Sequence, residues 1–249
     1  MYDEKLARHT RRKKRIVTGV LAIVGFCAIA VTVFFTAYVG DCQIVGSQYG
    51  QEEQIEEELF STPMEQRFFY QLFRSLTHTQ KTVNGLASYQ MTFSTNLSVS
   101  VHVTENPIIG AVKWEHNLYY FDRNGYVMAK DIEIATMVPV IDGSDLKNVA
   151  LYEKLSGIKD SFSEDILQLT QLLADNEITA DAISYDVNMN VTITLGEIKI
   201  VLGSRNNMTD KIAELCAIIE SGGLNGLKGT LHLENCGDGS TNSYIFDRE

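Results

Sequence analysis

The chain has 249 residues, of which 45% are hydrophobic, and its formal net charge is −11. Proteins that bind nucleic acid usually present a basic surface, so this acidic balance argues against nucleic acid as a partner. The length and the apolar fraction suffice for one domain of ordinary size or for two small domains with adequate cores.

The first long element is an uncharged apolar run over residues 16–39. Roughly twenty apolar residues span a bilayer core as a helix, so the run predicts a transmembrane helix. A secretory signal peptide would have a shorter apolar region, of about 7–15 residues, and a small-residue cleavage site after it. Because Asp41 precedes Cys42, we do not expect Cys42 to be a lipidated N-terminus.

The orientation follows from the distribution of basic residues around this run. Residues 1–15 form a tail with seven basic and two acidic side chains, and the first basic residue after the run is Arg67. Cytoplasmic flanks carry the positive excess, so we expect a cytoplasmic tail, a single-pass type II topology and an extracytoplasmic remainder with net charge −16. We interpret RRKKR as a topology anchor that also contacts anionic lipid, rather than as a nucleic-acid patch.

Residues 42–105 predict a compact unit in the order strand, helix, helix, strand, strand. Residues 42–46 form a short apolar strand, and the helix QEEQIEEELF places Ile55 and Leu59 on one face. A second helix is expected over residues 64–76, where aromatic and leucine residues recur at helical spacing. The alternating runs LASYQMTF and LSVSVHV, separated by a Ser-Thr-Asn turn, predict a hairpin.

Residues 106–236 predict a β-rich region with flanking helices. The strands expected are residues 110–114, 118–121, 126–129, the extended stretch MVPVIDG, 182–187, 191–195, 197–202 and 229–234. Helices are expected over residues 163–176, with Ser163 as N-cap, and over residues 209–220. The polar tail, residues 237–249, is expected to be flexible. The predicted fold class is therefore α+β: a transmembrane helix, a βααββ unit and a mixed β-rich domain.

The sequence contains none of the common catalytic or metal-binding motifs. GxSxG, HExxH, a phosphate-binding glycine loop and GxGxxG after a strand are all missing, and the five histidines form no HxH or HxxxH pair. The five glutamates within residues 52–58 are interpreted as the solvated face of a helix. We therefore expect no catalytic residue, no metal and no cofactor.

The cysteines do not form a disulfide framework. Cys27 lies in the apolar run, and Cys42, Cys216 and Cys236 lie after it, without any CxxC spacing. Cys216 shares a helix face with Ile212 and other apolar residues, so a buried thiol is favoured there. A disulfide between Cys42 and Cys236 is left open.

Four short motifs occur in a fixed order behind the basic tail and the apolar run. The stretch VSVHVTENPIIGAVKWEHNLYYFDRNGYV contains V-T-E-N-P, which is similar to a V-x-E-x-x-P pattern but one residue shorter, and then a Y-x-x-D-x-x-G hairpin. MVPVIDG contains P-V-I-x-G, and GEIKIVLGSRNNMTDKIAELCAII contains a strand, a glycine and a K-x-x-x-L helix. Together they resemble the bacterial cell-division family FtsQ, called DivIB in Gram-positive bacteria. The chain departs from that family at IVGSQY, where V-x-G-N is usual, and at LHLEN, where I-D-L-R-Y is common.

This resemblance implies a polypeptide-transport-associated (POTRA) domain at residues 42–105 and an FtsQ/DivIB-type β domain at residues 106–236. It further implies a non-enzymatic scaffold at the division septum. Such a scaffold binds two small coiled-coil membrane proteins, FtsB/DivIC and FtsL, and supports the septal wall-synthesis complex. Glu234 and Asn235 stand where the family has Arg and Tyr.

The last predicted strand is expected to be a sheet edge, to which an extended partner adds through main-chain hydrogen bonds. The expected partner-binding residues are Gly229, Thr230, Leu231, His232, Leu233, Glu234 and Asn235. The structural alternative is that this strand is internal or is covered by the tail.

The competing functional class is a type II membrane enzyme with an extracytoplasmic catalytic domain. Three Asn-x-Ser/Thr triplets, at Asn96, Asn190 and Asn207, suit such a protein, although turn chemistry also explains them and a DxD metal motif is missing. A sensor domain that binds a small molecule is a third possibility left open by the sequence.

Overall fold

The computed structural model describes residues 2–133, 137–143, 145–158, 160–236 and 244–248, and for residues 2–16 and 160 it describes the backbone alone. The chain divides into two compact units. The first comprises residues 1–47, 51–83 and 88–104, and the second comprises residues 48–50, 84–87 and 105–249. The architecture is mixed α+β, with an N-terminal apolar helix and a large mixed sheet.

Helix α1 (Tyr2–Thr36) contains the apolar segment Val17–Thr36, whose mean hydropathy is 2.5. This segment is long and apolar enough to cross a membrane. The predicted run continued to residue 39, but the helix ends at Thr36. The physical reason is pairing with another part of the chain, because the Val39 N–H donates to the Gln66 carbonyl (2.9 Å).

The first unit continues with β1 (Cys42–Val45), α2 (Glu52–Leu59), α3 (Phe68–Leu76), β2 (Leu86–Phe93) and β3 (Val99–Glu105). The three strands form a sheet in the order β1-β3-β2, in which β1 and β3 are parallel. Ile55 and Leu59 are buried on the inner face of α2, as the i, i+4 spacing predicted. The element order strand, helix, helix, strand, strand is observed, whereas the assignment to the POTRA class stays a prediction.

The second unit begins with β4 (Ile108–Trp114), β5 (Asn117–Asp122), β6 (Val127–Lys130), β7 (Val140–Asp142), β8 (Leu146–Asn148), β9 (Ser156–Gly157) and α4 (Asp160–Asp175). It continues with β10 (Ala182–Tyr185), β11 (Val191–Leu195), β12 (Ile198–Gly203), α5 (Met208–Glu220), β13 (Gly229–His232) and β14 (Ile245–Arg248). Nine of these strands form one sheet in the order β14-β13-β12-β11-β10-β7-β4-β5-β6, and β8 pairs with β9 separately.

Strand β4 is buried on both faces of the large sheet. Ile109 and Val112 belong to the main core cluster on one face, whereas Ile108 and Ala111 belong to a smaller cluster on the other. Successive side chains of a strand point to opposite faces, so a strand covered on both sides reads as a continuous apolar run. The sequence IIGAV is that run.

Helices α4 and α5 contribute to the main core cluster. Ile166, Leu169 and Leu173 of α4 and Ile212 and Leu215 of α5 are buried there. The apolar face predicted for α4 is confirmed.

The predicted start of α4 was wrong. Helix α4 begins at Asp160, three residues before the expected N-cap, so Ser163 is a buried residue inside the helix. Serine is favoured at N-caps because its hydroxyl bonds a free backbone N–H, but inside a helix that N–H already has a backbone partner.

Candidate docking surface at the end of the large sheet

The predicted docking strand is an internal strand of the large sheet. Strand β13 pairs in parallel with β12 on one side and antiparallel with β14 on the other, with Leu231 opposite both Ile200 and Phe246. The prediction that β13 is the sheet edge was therefore wrong. Part of the tail predicted to be flexible, Ile245–Arg248, folds back as the outermost strand; residues 237–243 and 249 lie outside the described residues. We call β13 and β14 the terminal ribbon.

One face of the terminal ribbon belongs to the core. Leu231 and Leu233 are buried, and Phe246 packs partly buried against the same core cluster. Two of the seven expected partner-binding side chains are thus used for folding. Neither Leu231 nor Leu233 is placed to contact a partner through its side chain.

The other face of the terminal ribbon is polar and partly exposed. Thr230 and His232 alternate with the buried leucines, and in the antiparallel register they lie opposite Asp247 and Ile245. His232 Nδ1 lies 3.0 Å from Glu234 Oε1, and its Nε2 lies 3.4 Å from Asp247 Oδ2. A single imidazole therefore contacts one carboxylate from the turn after β13 and one carboxylate from β14.

Glu234 and Asn235 follow the last strand residue in a turn, which the Cys236 N–H closes by donating to the Leu233 carbonyl (3.1 Å). Glu234 Oε2 is buried and has no hydrogen-bond partner among the residues that the structure describes. Asn235 is exposed. Of the seven residues predicted for docking, Asn235 is the most accessible, and it lies beyond the strand.

The backbone of β14 presents free hydrogen-bonding groups along its outer side. The N–H groups of Gly229 and Leu233 bond carbonyls of the β12 segment, so the backbone groups of Thr230 and His232 point to β14. Their partners Asp247 and Ile245 consequently point inward, and Phe246 and Arg248 turn their N–H and C=O groups outward. Among the described residues no strand pairs with this side.

The opposite end of the sheet is partly covered. The Val127 N–H of β6 donates to the Glu153 carbonyl (3.0 Å), and the Tyr152 N–H donates to the Val127 carbonyl (2.8 Å). An isolated bridge also joins Tyr126 and Lys154. Edge strands are commonly protected by such covering segments. The contrast makes β14 the more open of the two edges.

Two residues of the four motifs on which the family resemblance rests have structural roles. Asp122, of the D-x-x-G hairpin, is completely buried and accepts hydrogen bonds from the Asn124 and Tyr126 N–H groups and from the Asn106 side chain (2.9, 2.8 and 2.7 Å). The buried Lys211 ammonium donates to the carbonyls of Leu202 and Ser204, both at 2.8 Å. Both side chains stabilise turns beside strands of the large sheet.

The described part of the chain also contains shallow clefts. One, of about 220 Å³, is lined by apolar residues such as Ile108, Pro139 and Leu173. Another, of about 270 Å³, lies beside Tyr38 and Cys42. Both are smaller than the ~300–1,000 Å³ of typical small-molecule sites.

Among the described residues, no group of three or more His, Cys, Asp or Glu side chains is placed to hold a metal ion. The expectations of no metal, no cofactor and no catalytic residue stay predictions.

All four cysteines are free thiols. Cys216, expected to be buried, is partly buried against the main core cluster, and its thiol lies 3.6 Å from Glu220 Oε1.

Comparison of the chain with protein-family models and with curated proteins returned no match. The resemblance to the FtsQ/DivIB family therefore rests on the four motifs and stays a prediction.

Proposed function

We propose that the chain is a non-enzymatic, single-pass membrane scaffold of the bacterial division machinery that binds an extended partner segment at the terminal ribbon. The observation that carries this proposal is the outer side of β14, where Phe246 and Arg248 present backbone groups to a further strand. The docking position thus moves one strand outward from the predicted one.

The membrane part of the proposal is supported by the apolar segment Val17–Thr36 and the charges around it. Seven of the first 15 residues are basic, and the next basic residue is Arg67. By the positive-inside rule, this asymmetry favours a cytoplasmic N-terminus and an extracytoplasmic remainder.

The docking part is supported by the physics of strand addition. Main-chain hydrogen bonds supply the affinity, so a partner need not match particular side chains on β14. This tolerance agrees with the departures at Glu234 and Asn235 from the resembling family. The exposed Ile245 side chain offers one apolar contact beside the outward backbone groups.

The partners that we propose follow from the resemblance. They are two small coiled-coil membrane proteins, FtsB/DivIC-like and FtsL-like, and through them the septal wall-synthesis complex. The exposed edge of the first unit's sheet, at β2, is a second candidate surface for a protein partner.

A photocrosslinking experiment tests the docking edge in the full-length protein, co-expressed in membranes with the two coiled-coil proteins of its host. A photoreactive residue at Ile245 is expected to capture one of them. The same residue at Val187, which is 99% exposed in the turn between β10 and β11, is expected to capture neither.

A matched pair of substitutions separates backbone docking from side-chain docking. Arg248→Pro removes an outward N–H, whereas Arg248→Ala removes only the side chain, so crosslinking from Ile245 is expected to disappear in the first variant and to persist in the second. Equal crosslinking by both variants would contradict docking at β14. Thermal unfolding of each variant checks that the ribbon is intact.

The cellular role has its own test. A fluorescent fusion of the full-length protein is expected to concentrate at the septum of dividing cells. Uniform labelling of the membrane would contradict the division role, even if the docking edge behaved as expected.

A further inference from the structure

Helix α3 carries an apolar stripe that its own unit leaves largely uncovered. Phe69, Phe73 and Leu76 lie at positions i, i+4 and i+7 and therefore share one side of the helix. Phe73 is 57% exposed and Leu76 is 72% exposed. The core-facing side uses Phe68 and Gln71, and Phe69 is partly buried against the Phe68 ring, so the uncovered part of the stripe is Phe73 and Leu76.

The start of α3 is hydrogen-bonded to the residues that directly follow the apolar segment of α1. The Val39 N–H donates to the Gln66 carbonyl (2.9 Å), and the Phe68 N–H donates to the Ala37 carbonyl (3.0 Å). Paired strands lie about 5 Å apart. The first turn of α3 is thus held at the level where the apolar segment ends.

Two further side chains lie at this junction. Tyr38 is 52% exposed, and the Arg67 guanidinium lies over its ring, 3.9 Å from the ring centroid. Arg67 is partly buried; its Nε is buried and has no hydrogen-bond partner, and no carboxylate among the described residues forms an ion pair with this guanidinium. A tyrosine and an arginine at the end of an apolar helix are typical of the membrane–water interface.

We infer that the α3 stripe, Tyr38 and Arg67 form one surface that lies in the headgroup region of the bilayer crossed by α1. The ligand is phospholipid: its phosphate pairs with Arg67, and its upper acyl chain covers Phe73 and Leu76. This inference rests on the membrane topology of the proposed function, but not on the docking of a protein partner.

The length and position of α3 favour lipid over protein as the occupant. Nine residues make a helix about 13 Å long. An amphipathic helix of this kind buries its apolar face about 5–10 Å into the boundary between headgroups and acyl chains. Since the Phe68 N–H donates to the Ala37 carbonyl and the Val39 N–H donates to the Gln66 carbonyl, the first turn of α3 is held close to the end of the apolar segment, where lipid is the neighbouring molecule.

Lipid quenching in the full-length protein tests the inference. Trp114 is the single tryptophan, so Trp114→Phe gives a parent chain without tryptophan, whose thermal unfolding is first matched to that of the natural chain. Phe73→Trp in this parent is reconstituted into nanodiscs whose lipids carry bromine on the upper acyl chain. Its emission is expected to be lower in the brominated than in the unbrominated lipid, because an interfacial helix buries its apolar face at the boundary between headgroups and acyl chains.

Two control positions decide how the result is interpreted. Val187→Trp, at a fully exposed turn, is expected to show no quenching, and Phe26→Trp, in the middle of the apolar segment, is expected to be quenched in nanodiscs whose lipids carry bromine near the end of the acyl chain. A Phe73→Trp signal that is unquenched, like that of Val187→Trp, would overturn the inference while leaving partner docking untouched. Unquenched Phe26→Trp would overturn both this inference and the membrane topology.

A second measurement needs no substitution. In nanodiscs, the Leu76 methyl groups of the natural chain are expected to show nuclear Overhauser effects to lipid acyl-chain protons. The inference is wrong if the Leu76 methyl groups instead show nuclear Overhauser effects to another copy of the chain, and if the emission of Phe73→Trp indicates an apolar environment without bromine quenching. A protein would then cover the stripe.

Discussion

Gly229 and Asp247 touch across the terminal ribbon through their backbones. A Cβ atom at position 229 would overlap the Asp247 carbonyl oxygen, and the φ angle of Gly229 is +140°, which side chains rarely adopt. Strand β14 can therefore pair with β13 because residue 229 is a glycine, which has no Cβ atom to overlap the Asp247 backbone.

Gly229→Ala is expected to release β14 from β13. The new methyl group meets the Asp247 backbone and strains its own, which costs about 1–3 kcal/mol. Hydrogen exchange of the Ile245 and Asp247 amides, which point inward, is expected to accelerate to the rate of an open chain.

Gly226→Ala is the matched control for this substitution. Gly226 also has a positive φ, +69°, but a Cβ there meets nothing within 4 Å. It is expected to cost about 1 kcal/mol without any change in the exchange of the β14 amides. Faster exchange in both variants would show that the contact with Asp247 is not what holds the ribbon.

Asp122→Ala is expected to lower the free energy of unfolding of the second unit by about 2–3 kcal/mol, because buried donors lose their acceptor. Urea unfolding measures the loss. Asp186→Ala is the control, since Asp186 accepts N–H groups from Asn188 and Asn190 in a similar but exposed turn. At this exposed turn, water can replace the hydrogen bonds that Asp186 accepts. A similar loss of unfolding free energy in Asp122→Ala and Asp186→Ala would therefore contradict the conclusion that burial makes the Asp122 hydrogen bonds important.

Cys42 is expected to be a slow nucleophile in the folded protein. Burial, and to a lesser degree the Glu56 carboxylate, raise the pKa of the Cys42 thiol to about 11 from an ordinary value of 9.0. The thiolate is the reactive form, so alkylation at pH 8 is expected to be about 100-fold slower than for an ordinary thiol.

Mass spectrometry of iodoacetamide labelling, as a function of pH, checks the Cys42 prediction. The rate is expected to keep rising through pH 10 in the folded chain and to level off near pH 9 in urea. Glu56→Gln removes the smaller cause and is expected to increase the folded rate only modestly. A folded rate that levels off near pH 9 would contradict the predicted shift.

Glu65 is expected to make the first unit sensitive to acid. Burial by itself raises the pKa of Glu65, but hydrogen bonds from Ser61 and Thr62 and the charge of Lys81 outweigh it, so the pKa lies below its ordinary value of 4.5. A lowered carboxyl pKa stabilises the folded state above the unfolded pKa, and that contribution is lost as the pH falls through the folded pKa.

Glu65→Gln is therefore expected to destabilise the first unit at pH 7 and to flatten its loss of stability as the pH falls from about 5 to about 3. Urea unfolding at several pH values measures this. Glu53→Gln, at an exposed position of α2, is expected to leave the pH profile of the natural chain unchanged. Identical profiles for the Glu65 variant and the natural chain would contradict the prediction.

Much of the fold could be predicted where local patterns decide the structure. The alternation in LASYQMTF coincides with β2 (Leu86–Phe93), and Val191–Leu195 is β11 as expected. The apolar length of Val17–Thr36 requires no tertiary information either. In each case the period or the length of the apolar residues selects one element.

The boundaries and the docking edge were less predictable. The end of α1 at Thr36 depends on Gln66, whose carbonyl accepts a hydrogen bond from the Val39 N–H although Gln66 is distant in the sequence. Strand β14 is only four residues long, and two of them, Asp247 and Arg248, are charged. Its sequence, I-F-D-R, places two apolar residues before two charged ones and shows no alternation, so no local pattern distinguishes this strand from a polar tail.

The sequence by itself determined the apolar helix, the charge asymmetry around it and the order of most strands and helices, because these depend on residues close together in the chain. Only the tertiary structure decided which strand is outermost. An edge strand is one that has a neighbouring strand on one side only. Whether β13 has a second neighbour depends on residues 245–248, which are distant in the sequence and fold back to pair with it.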